Sequence, residues 1–253
     1  MITFNSLGKL GRLGNQLFQI ASTIGIAEKN GIKYTLPNWS YSHFFKNQIP
    51  LNVINDLEVI NEINFHYNEI MLQDKTKNYD LSGYFQSEKY FKESSDLILE
   101  TFSLKDEIHN ELKSKYSTIL NNSCSIHVRR GDYVHLQGYH PVQPLDYYIE
   151  SIKTIYGDNI ENINFLIFSD DIEWCKSNII LPNTFHIEGN PDILDLFLMS
   201  MCNNNIITNS SFSWWSAWLN MNPQKIIVAP KKWFGEYKDC NTKDLIPNNW
   251  ILI

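Results

Sequence analysis

The sequence predicts an α/β protein built on parallel β-sheets. From Ser123 onward, short runs rich in β-branched and aromatic residues alternate with segments of helical periodicity. Near the N-terminus, a glycine-rich turn separates a short apolar run from a long helical pattern. Polar residues follow directly after three of the predicted strands. Alternating strands and helices form right-handed βαβ units, and these build a parallel, doubly wound sheet.

The composition and charge exclude several classes of protein. The chain has 253 residues with 43% hydrophobic and 19% charged side chains, which is typical of a soluble globular protein. Its net charge of −7 argues against a nucleic-acid partner, because phosphate contacts need a basic face. No apolar run approaches the ~20 residues of a membrane span, and no signal peptide is visible. We therefore expect a cytoplasmic protein without an integral membrane segment, and peripheral attachment at the inner membrane face stays open.

The cysteine and acidic residues do not indicate a metal site. Four cysteines lie far apart and form no CxxC pair, and three of them fall in apolar patterns. Buried free thiols are the expected state. No His/Cys cluster has metal-ligand spacing, and no Asp-x-Asp triplet occurs. We expect neither a metal nor a cofactor.

The first half begins with a short strand and a long helix. Residues 2–4 can form the strand, and apolar residues recur at helical spacing over residues 13–27. The turn between them contains Gly8, Gly11 and Gly14. A turn of this kind brings backbone N–H groups and a helix N-terminus close to a ligand.

The other residues of this turn favour a ligand but not a dinucleotide. Gly11-x-x-Gly14 differs from the GxGxxG pattern, so a nicotinamide or flavin is not indicated. Arg12, Asn15 and Gln16 are more polar than packing requires. A plain strand-to-helix turn is the alternative.

The rest of the first half is less regular. Residues 33–36 predict another strand, whereas residues 38–81 show no sustained period and are expected to be rich in loops. Ser103 and Asp106 predict a capping box that opens a helix. The apolar residues that share one face of this helix are Ile108, Leu112, Tyr116 and Ile119.

The second half alternates regularly between strands and helices. Strands are predicted at residues 123–128, 163–168, 184–187, 205–208 and 225–229. Helices are predicted at residues 144–156, 171–178, 191–202 and 212–220. Ligands of such sheets bind in the crevice beyond the carboxyl ends of the strands.

Three groups of polar residues fall at that edge. They are His127 with Arg129 and Arg130, residues 169–171, and residues 208–213. Because the carboxyl ends of parallel strands share one edge of a sheet, we expect the three groups to lie together. Structural polar residues scattered at random would not gather in this way.

The arginines and serines of these groups suit an anionic ligand. Two adjacent guanidinium groups match the planar oxyanion of a phosphate, although Arg129 and Arg130 could instead pair with carboxylates and only tie a loop down. Ser210, Ser211 and Ser213 stand where a helix begins, so their hydroxyls and the free N–H groups can form an anion site. Ordinary N-capping by serine is the alternative.

One carboxylate at this edge can read a base. Asp170 can accept two N–H bonds from a guanine edge, while capping of the next helix explains Asp171 equally well. His127 points into the crevice or into the core according to the pleat of the strand, which the sequence does not fix. Together these features describe a nucleoside-diphosphate site, in which Arg129 and the helix dipole could neutralise the diphosphate without a cation.

Ordered motifs over most of the chain resemble glycosyltransferase family 11, whose characterised members are mostly α-1,2-fucosyltransferases. The motifs are Gly11-Arg-Leu-Gly-Asn-Gln-Leu-Phe-Gln, His127-Val-Arg-Arg-Gly-Asp-Tyr-Val, Leu145-Asp-Tyr-Tyr, Phe168-Ser-Asp-Asp-Ile-Glu-Trp-Cys, Asn209-Ser-Ser-Phe-Ser-Trp-Trp and Ala229-Pro-Lys-Lys-Trp-Phe. Residues 38–80 carry no match.

The resemblance implies a GT-B architecture of two facing Rossmann-like domains, residues 1–121 on the acceptor side and residues 122–253 binding the donor. It implies an inverting, metal-independent transfer of L-fucose from GDP-fucose to an oligosaccharide or lipid-linked glycan, with O-2 of a terminal galactose as the expected acceptor atom. The alternatives are another linkage, another GDP-sugar, or a GDP-sugar- or glycan-binding protein without catalysis.

The resemblance also implies roles for single residues. The candidate catalytic residues are Arg129, which would stabilise departing GDP, and Asn15. The candidate donor-binding residues are Arg12, Gly14, His127, Asp170, Ser210, Ser211 and Phe212. Asp132 and His140 are candidate general bases. The alternative for Asp132 is an ion pair with Arg130 that holds the loop together.

Some aromatic residues and short motifs allow other interpretations. Trp39, Tyr84 and Trp233 could stack on acceptor sugars, although core packing explains them equally well. The Arg-Gly-Asp tripeptide at residues 130–132 would need a secreted chain to act in adhesion. Neighbouring carboxylates at residues 170 and 171 point apart, which argues against a glycosidase.

Overall fold

The computed structural model describes residues 1–52 and 54–253. Along these residues the elements are β1 (Ile2–Thr3), α1 (Leu13–Asn30), β2 (Leu57–Asn61), β3 (Asn78–Ser82), α2 (Ser95–Thr101), α3 (Asp106–Lys115), α4 (Ser117–Leu120), β4 (Ser123–Val128), α5 (Leu145–Tyr156), β5 (Asn164–Ser169), α6 (Ile172–Asn178), β6 (Asn183–His186), α7 (Asp192–Ser200), β7 (Asn204–Ile206), α8 (Ser211–Trp218), β8 (Ile227–Ala229) and β9 (Ile251–Leu252). Every strand pairing between these elements is parallel. The predicted α/β class with parallel sheets is confirmed.

The chain divides into two compact units. The first contains Met1–His109 and Cys240–Pro247, and the second contains Asn110–Asp239 and Asn248–Ile253. The predicted division after residue 121 did not include the return of the C-terminal segment to the first unit. The acceptor and donor roles assigned to the two halves stay predictions.

The first unit contains a three-stranded sheet in the order β1-β3-β2. Helix α1 is buried along most of its length, and a Cβ at Gly25 would lie 2.3 Å from the carbonyl oxygen of Tyr90. The glycine therefore allows this close approach. The predicted strand at 33–36 is wrong as a strand, since its residues form only the isolated bridges Ile2 to Tyr34 and Leu36 to Leu51. Its backbone bonds switch from one neighbour to the other, so no continuous ladder develops.

The predicted capping box is also wrong. Helix α3 begins at Asp106, but the Ser103 hydroxyl donates to the carbonyl oxygen of Leu99, 2.9 Å away. Ser103 belongs to the turn that ends α2, where its N–H donates to the carbonyl oxygen of Glu100. The Asp106 carboxylate lies 2.7 Å from the Lys46 ammonium. The hydroxyl is thus used by the preceding helix.

The second unit contains a six-stranded parallel sheet in the order β6-β5-β4-β7-β8-β9. Numbered within the unit, this is the order 3-2-1-4-5-6 of dinucleotide-binding folds. The predicted strands and helices of this half are confirmed, with ends that differ by a residue or two. All of β4 is buried, as expected of a strand covered on both faces. The order reverses between β4 and β7, so a ligand crevice is expected at the carboxyl ends of this pair.

Two further expectations concern the thiols and the membrane. The four cysteines are free, and Cys124, Cys175 and Cys202 are buried. Within the described ranges, no helix combines the length and apolar character that a membrane crossing requires.

Candidate active site

The polar groups that follow β4, β5 and β7 are in contact with one another. Arg129 and Arg130, after β4, reach Asp170 and Asp171, after β5. The ring of His127, at the end of β4, lies 5.4 Å from that of Phe212, in the first turn of α8. The structure therefore brings the three predicted groups together at the edge where the strand order reverses.

Arg129 is held between two carboxylates. Its Nη2 lies 2.5 Å from Oδ1 of Asp132, and its Nη1 lies 3.0 Å from Oδ2 of Asp170. The guanidinium carbon is 5.3 Å from the centre of the Tyr133 ring. The side chain is only 17% exposed, so these contacts fix its position. The remaining N–H groups of the guanidinium are available to an anion.

Arg130 is anchored differently from its neighbour. Its Nε donates to Oδ2 of Asp171 over 2.9 Å, and its guanidinium carbon lies 4.1 Å from the centre of the Trp174 ring. The expected Arg130–Asp132 pair is therefore wrong, because Asp132 pairs with Arg129 instead. The charge and cation–π contacts tie the loop after β4 to α6.

Asp170 is packed against the loop it holds. Its Oδ1 accepts the N–H of Arg130 over 2.9 Å, while Oδ2 faces Arg129. A Cβ at position 131 would lie 2.4 Å from Oδ2, so glycine is required where the carboxylate approaches the backbone. Both oxygens of Asp170 thus have protein partners, and its predicted role toward guanine stays a prediction. Asp171 is the N-cap of α6, as expected, since its side chain accepts the N–H of Trp174.

His127 is a buried, neutral imidazole. It is 6% exposed, and burial, followed by the neighbouring Arg129 charge, lowers the pKa of His127 to about 3. Its Nδ1 is buried without a hydrogen-bond partner among the described protein atoms. An unpaired buried nitrogen carries a desolvation cost, and a ligand at this edge could relieve that cost.

The start of α8 offers a partly exposed helix N-terminus. Ser210 is the N-cap, and its hydroxyl accepts the N–H of Phe212. Ser213 is buried, and its hydroxyl donates back to the carbonyl oxygens of Thr208 and Ser210, so it is not available to an anion. Ser210, Ser211 and Phe212 are partly exposed. These three residues, with the dipole of the helix, can face an anion.

The two candidate bases have different surroundings. Asp132 is 46% exposed and pairs with Arg129. His140 stacks on Tyr133 with ring centres 4.9 Å apart and meets the ring of Phe234 edge-on. Burial and then the Lys238 ammonium lower the pKa of His140, which keeps the imidazole neutral and makes it a weaker base. The roles of both residues stay predictions.

In the first unit, the glycine turn is held in part by Gln86, a residue outside the turn. Asn15 accepts a hydrogen bond from Nε2 of Gln86 over 2.6 Å. Gly11 has φ of +80°, and a Cβ there would lie 2.2 Å from the Asn15 amide. Arg12 is the exposed residue that precedes α1, and Gly14 is buried in its first turn. The predicted roles of Arg12, Gly14 and Asn15 stay predictions.

Asn209 is the residue that sequence reasoning missed. Its Nδ2 donates to the carbonyl oxygens of Pro141 and Trp233, each over 3.0 Å. Its Oδ1 accepts from Gln143 and Thr208 over 3.0 and 2.9 Å. An asparagine directly after the predicted strand at 205–208 was the available signal, but only its burial and its long-range contacts show that it joins three loops.

The tryptophans proposed as sugar platforms belong to cores. Trp39 is 2% exposed, stacks on Phe45 with ring centres 5.3 Å apart, and donates to Gln16 over 2.7 Å. Trp233 is 4% exposed. Tyr84 is partly exposed.

Within the described ranges, no group of three or more His, Cys, Asp or Glu side chains is arranged to hold a metal ion. Metal independence stays a prediction.

The fold and the loops at its carboxyl edge define an α/β protein of GT-B type. Its fold resembles that of the fucosyltransferase NodZ from Bradyrhizobium, with a TM-score of 0.56, 14% identity, and coverage of 85% of this chain and 91% of that one. The fold also resembles that of POFUT1 in complex with GDP-fucose. The TM-score is 0.57 and the identity 11%, with coverage of 90% of this chain and 97% of POFUT1.

The chain belongs to glycosyltransferase family 11, whose model, Glycosyl transferase family 11, matches residues 2–253. It is 33% identical to the O-antigen biosynthesis glycosyltransferase WbnK of Escherichia coli, over 83% of this chain and 74% of that protein. It is 39% identical to an Escherichia coli alpha-1,2-colitosyltransferase, over 68% of this chain and 61% of that protein. It is 27% identical to galactoside alpha-(1,2)-fucosyltransferase 2 of Pongo pygmaeus, over 85% and 68%.

Proposed function

We propose that this glycosyltransferase moves L-fucose from GDP-fucose to O-2 of a terminal galactose on a glycan, with inversion at the anomeric carbon. The observation that carries the proposal is the placement of Arg129 beside the start of α8, at the strand pair where the order reverses. The Tyr133 ring lies next to the Arg129 guanidinium, and its hydroxyl donates to the carbonyl oxygen of Asn209, just before α8. A guanidinium and a helix N-terminus so placed suit a diphosphate.

The relatives support the donor and the linkage. The name of the Pongo pygmaeus relative combines fucose with an α-1,2 linkage to a galactoside. One matching solved structure is described as NodZ soaked with GDP-fucose. WbnK is an O-antigen biosynthesis glycosyltransferase, which supports a bacterial surface polysaccharide, or its lipid-linked precursor, as the acceptor.

The reaction is a single displacement. The acceptor oxygen forms a bond to the anomeric carbon on the face opposite GDP, while the bond from that carbon to the β-phosphate oxygen breaks. The bonding electrons leave with GDP, and the acceptor proton passes to a base. Developing charge on the leaving phosphate is stabilised by Arg129 and the first turn of α8. Metal is not needed in this scheme.

Arg129 already pairs with two carboxylates before the phosphate binds. Its contacts to Asp132 and Asp170 occupy one N–H on each terminal nitrogen. A phosphate can use the others, or displace the more exposed Asp132. Because Asp132 is 46% exposed, that exchange costs little.

The substitution Arg129→Ala tests the proposal. We expect kcat/KM for GDP-fucose to fall by about 10²- to 10³-fold, a loss on the order of 3 kcal/mol of transition-state stabilisation. The control is Lys176→Ala on α6, which removes ion pairs with Glu173 and Glu188 and leaves the contacts of Arg129 in place. Release of GDP that depends on a galactoside acceptor is the measurement. Turnover of Arg129→Ala within a few-fold of wild type would contradict the assigned role.

A second candidate donor follows from the colitosyltransferase relative. Its 39% identity favours a test of the colitose donor beside fucose, since colitose is fucose without the 3-hydroxyl group. A site that hydrogen-bonds that hydroxyl should discriminate strongly against the 3-deoxy sugar. Competition between GDP-fucose and GDP-colitose, followed by linkage analysis of the product, separates the two. Donor binding without any acceptor-dependent GDP release would instead indicate a binding protein.

A further inference from the structure

Two exposed tyrosines form a pair on the second unit. Tyr139 is 50% exposed and Tyr237 is 74% exposed. Their rings meet edge to face, with centres 5.6 Å apart and an interplanar angle of 75°. Core packing does not explain rings that are exposed to this degree.

The segments that carry these tyrosines are locked to each other. The N–H of Tyr237 donates to the carbonyl oxygen of Gly138 over 2.8 Å, and the N–H of Gly235 donates to that of Tyr139 over 2.9 Å. A Cβ at Gly138 would lie 2.3 Å from the Tyr237 ring, and a Cβ at Gly235 would lie 2.3 Å from the Gly138 carbonyl oxygen. The two glycines therefore allow the segments to touch, and the tyrosine pair is held in a fixed arrangement.

The pair is continuous with the candidate active site. Tyr139 is followed by His140, whose ring stacks on Tyr133 at 4.9 Å, and the Tyr133 ring lies 5.3 Å from the Arg129 guanidinium carbon. The loop that begins at Arg129 thus also carries Tyr139 of the exposed pair.

We propose that Tyr139 and Tyr237 form a stacking platform for a pyranose ring of the acceptor glycan. This inference rests on the proposed function and names a site for its second substrate. Galactose presents several C–H groups on one face, and these pack on aromatic rings. Tyrosine offers a large apolar face with a polar hydroxyl at a low cost in conformational entropy. Because the two segments are fixed before binding, the tyrosines lose little conformational entropy when the sugar binds.

The charges in the segment that carries Tyr237 are of mixed sign. Glu236 and Asp239 are exposed, and so are Lys231 and Lys232. The ammonium of Lys238 is directed over the Phe234 ring, 3.8 Å from its centre. This mixture is not the basic cluster that an anionic membrane attracts, and a neutral sugar needs no net charge.

The test compares Tyr139→Ala and Tyr237→Ala with wild type. We expect the KM for lactose and N-acetyllactosamine to rise about tenfold in each variant, while the KM for GDP-fucose changes by less than about twofold. Tyr237→Phe keeps the ring and should stay close to wild type. Ile180→Ala is the control, because Ile180 is 78% exposed and lies between α6 and β6. Binding of methyl β-D-galactoside, measured by saturation-transfer NMR, gives a readout that needs no catalysis.

The outcomes distinguish failure of the platform from failure of the proposed function. Acceptor KM values within about twofold of wild type in both alanine variants would overturn the platform. The same variants are also assayed with a galactosyl lipid in anionic vesicles, and a defect seen only with that acceptor would show a lipid contact and would overturn the platform. If wild type transfers no fucose, the proposed function fails. In that case, galactoside NMR signals that vanish in Tyr237→Ala still support the platform, and wild type without such signals refutes it.

Discussion

Among single side chains, the pairing of Arg129 governs the chemistry proposed for this enzyme. Two arginines and three aspartates meet after β4 and β5, so the loop is close to neutral rather than strongly basic. The carboxylates of Asp132 and Asp170 hold the guanidinium where a phosphate is expected. Of the two, Asp132 is the more exposed, so it is the partner that a phosphate displaces more easily.

The substitution Asp132→Asn should therefore tighten donor binding. Removal of the competing charge leaves Arg129 freer to bind the diphosphate, and we expect the Kd for GDP to fall by about two- to fivefold. Isothermal titration calorimetry at low salt measures this change. If Asp132 were the general base, kcat would instead fall by about 10²-fold or more with little change in the Kd.

His127 predicts a specific dependence of stability on pH. Its pKa of about 3 in the folded state lies below the ~6.5 of an unfolded chain. As the pH falls, the unfolded state therefore binds the proton before the folded state does. The contribution of neutral His127 to the free energy of unfolding is fully present above pH ~6.5 and is lost as the pH falls below that value. The expected slope is at most ~1.4 kcal/mol per pH unit.

The comparison of wild type with His127→Gln isolates this effect. His140 and His186, whose pKa values are also lowered, titrate in both proteins and cancel in the difference. Urea unfolding measures the free energy of unfolding at several pH values between about 4 and 7. This range spans the ~6.5 pKa of histidine in an unfolded chain. A variant that loses stability on acidification as steeply as wild type would contradict the buried neutral imidazole.

Among the elements, the turn from β7 to α8 depends on contacts distant in sequence. Asn209 is 1% exposed and bonds the segments around Pro141, Gln143 and Trp233 to this turn. The start of α8 is therefore positioned by two other loops. A loss of these bonds would loosen the helix N-terminus that is expected to face the diphosphate.

The substitution Asn209→Ala should cost roughly 2–3 kcal/mol of unfolding free energy, because it leaves several buried polar groups without partners. It should also weaken GDP binding, since α8 loses its support. Chemical denaturation and calorimetry measure the two effects. Asn110→Ala, at an exposed position of α3, is the control. Stability of Asn209→Ala within about 0.5 kcal/mol of wild type would refute the joining role.

The local elements show where sequence reasoning succeeds. Strand β5 was predicted closely because its core, Phe165-Leu-Ile-Phe, is a continuous apolar run, as expected of a buried parallel strand. Residues 33–36 also contain β-branched and aromatic side chains but divide their hydrogen bonds between two neighbours. Ser103 has the spacing of a cap but is used by the helix before it. In both cases a distant or competing partner overrides the local pattern.

For the chain as a whole, we expect a reaction that needs no metal. Arg129 and the dipole of α8 supply the positive charge that a divalent cation would otherwise bring to a leaving diphosphate. We expect the transfer rate to be the same with excess EDTA as with added Mg²⁺ or Mn²⁺. Acceptor-dependent GDP release measures it. An activity abolished by EDTA and restored by Mg²⁺ would show that the protein groups alone are insufficient.

Residue order alone determined the parallel second-half sheet, the polar groups at its edge and the family resemblance, because apolar periodicity and strand-end motifs are local properties. Tertiary contacts decided the rest: the pairing of Arg129 with Asp170, the glycine required beside Asp170, the support from Asn209, and the return of Cys240–Pro247 to the first unit. Each depends on atoms that approach only after the strands have assembled. Spacing along the chain carries no information about which distant partner a charge or an amide will meet.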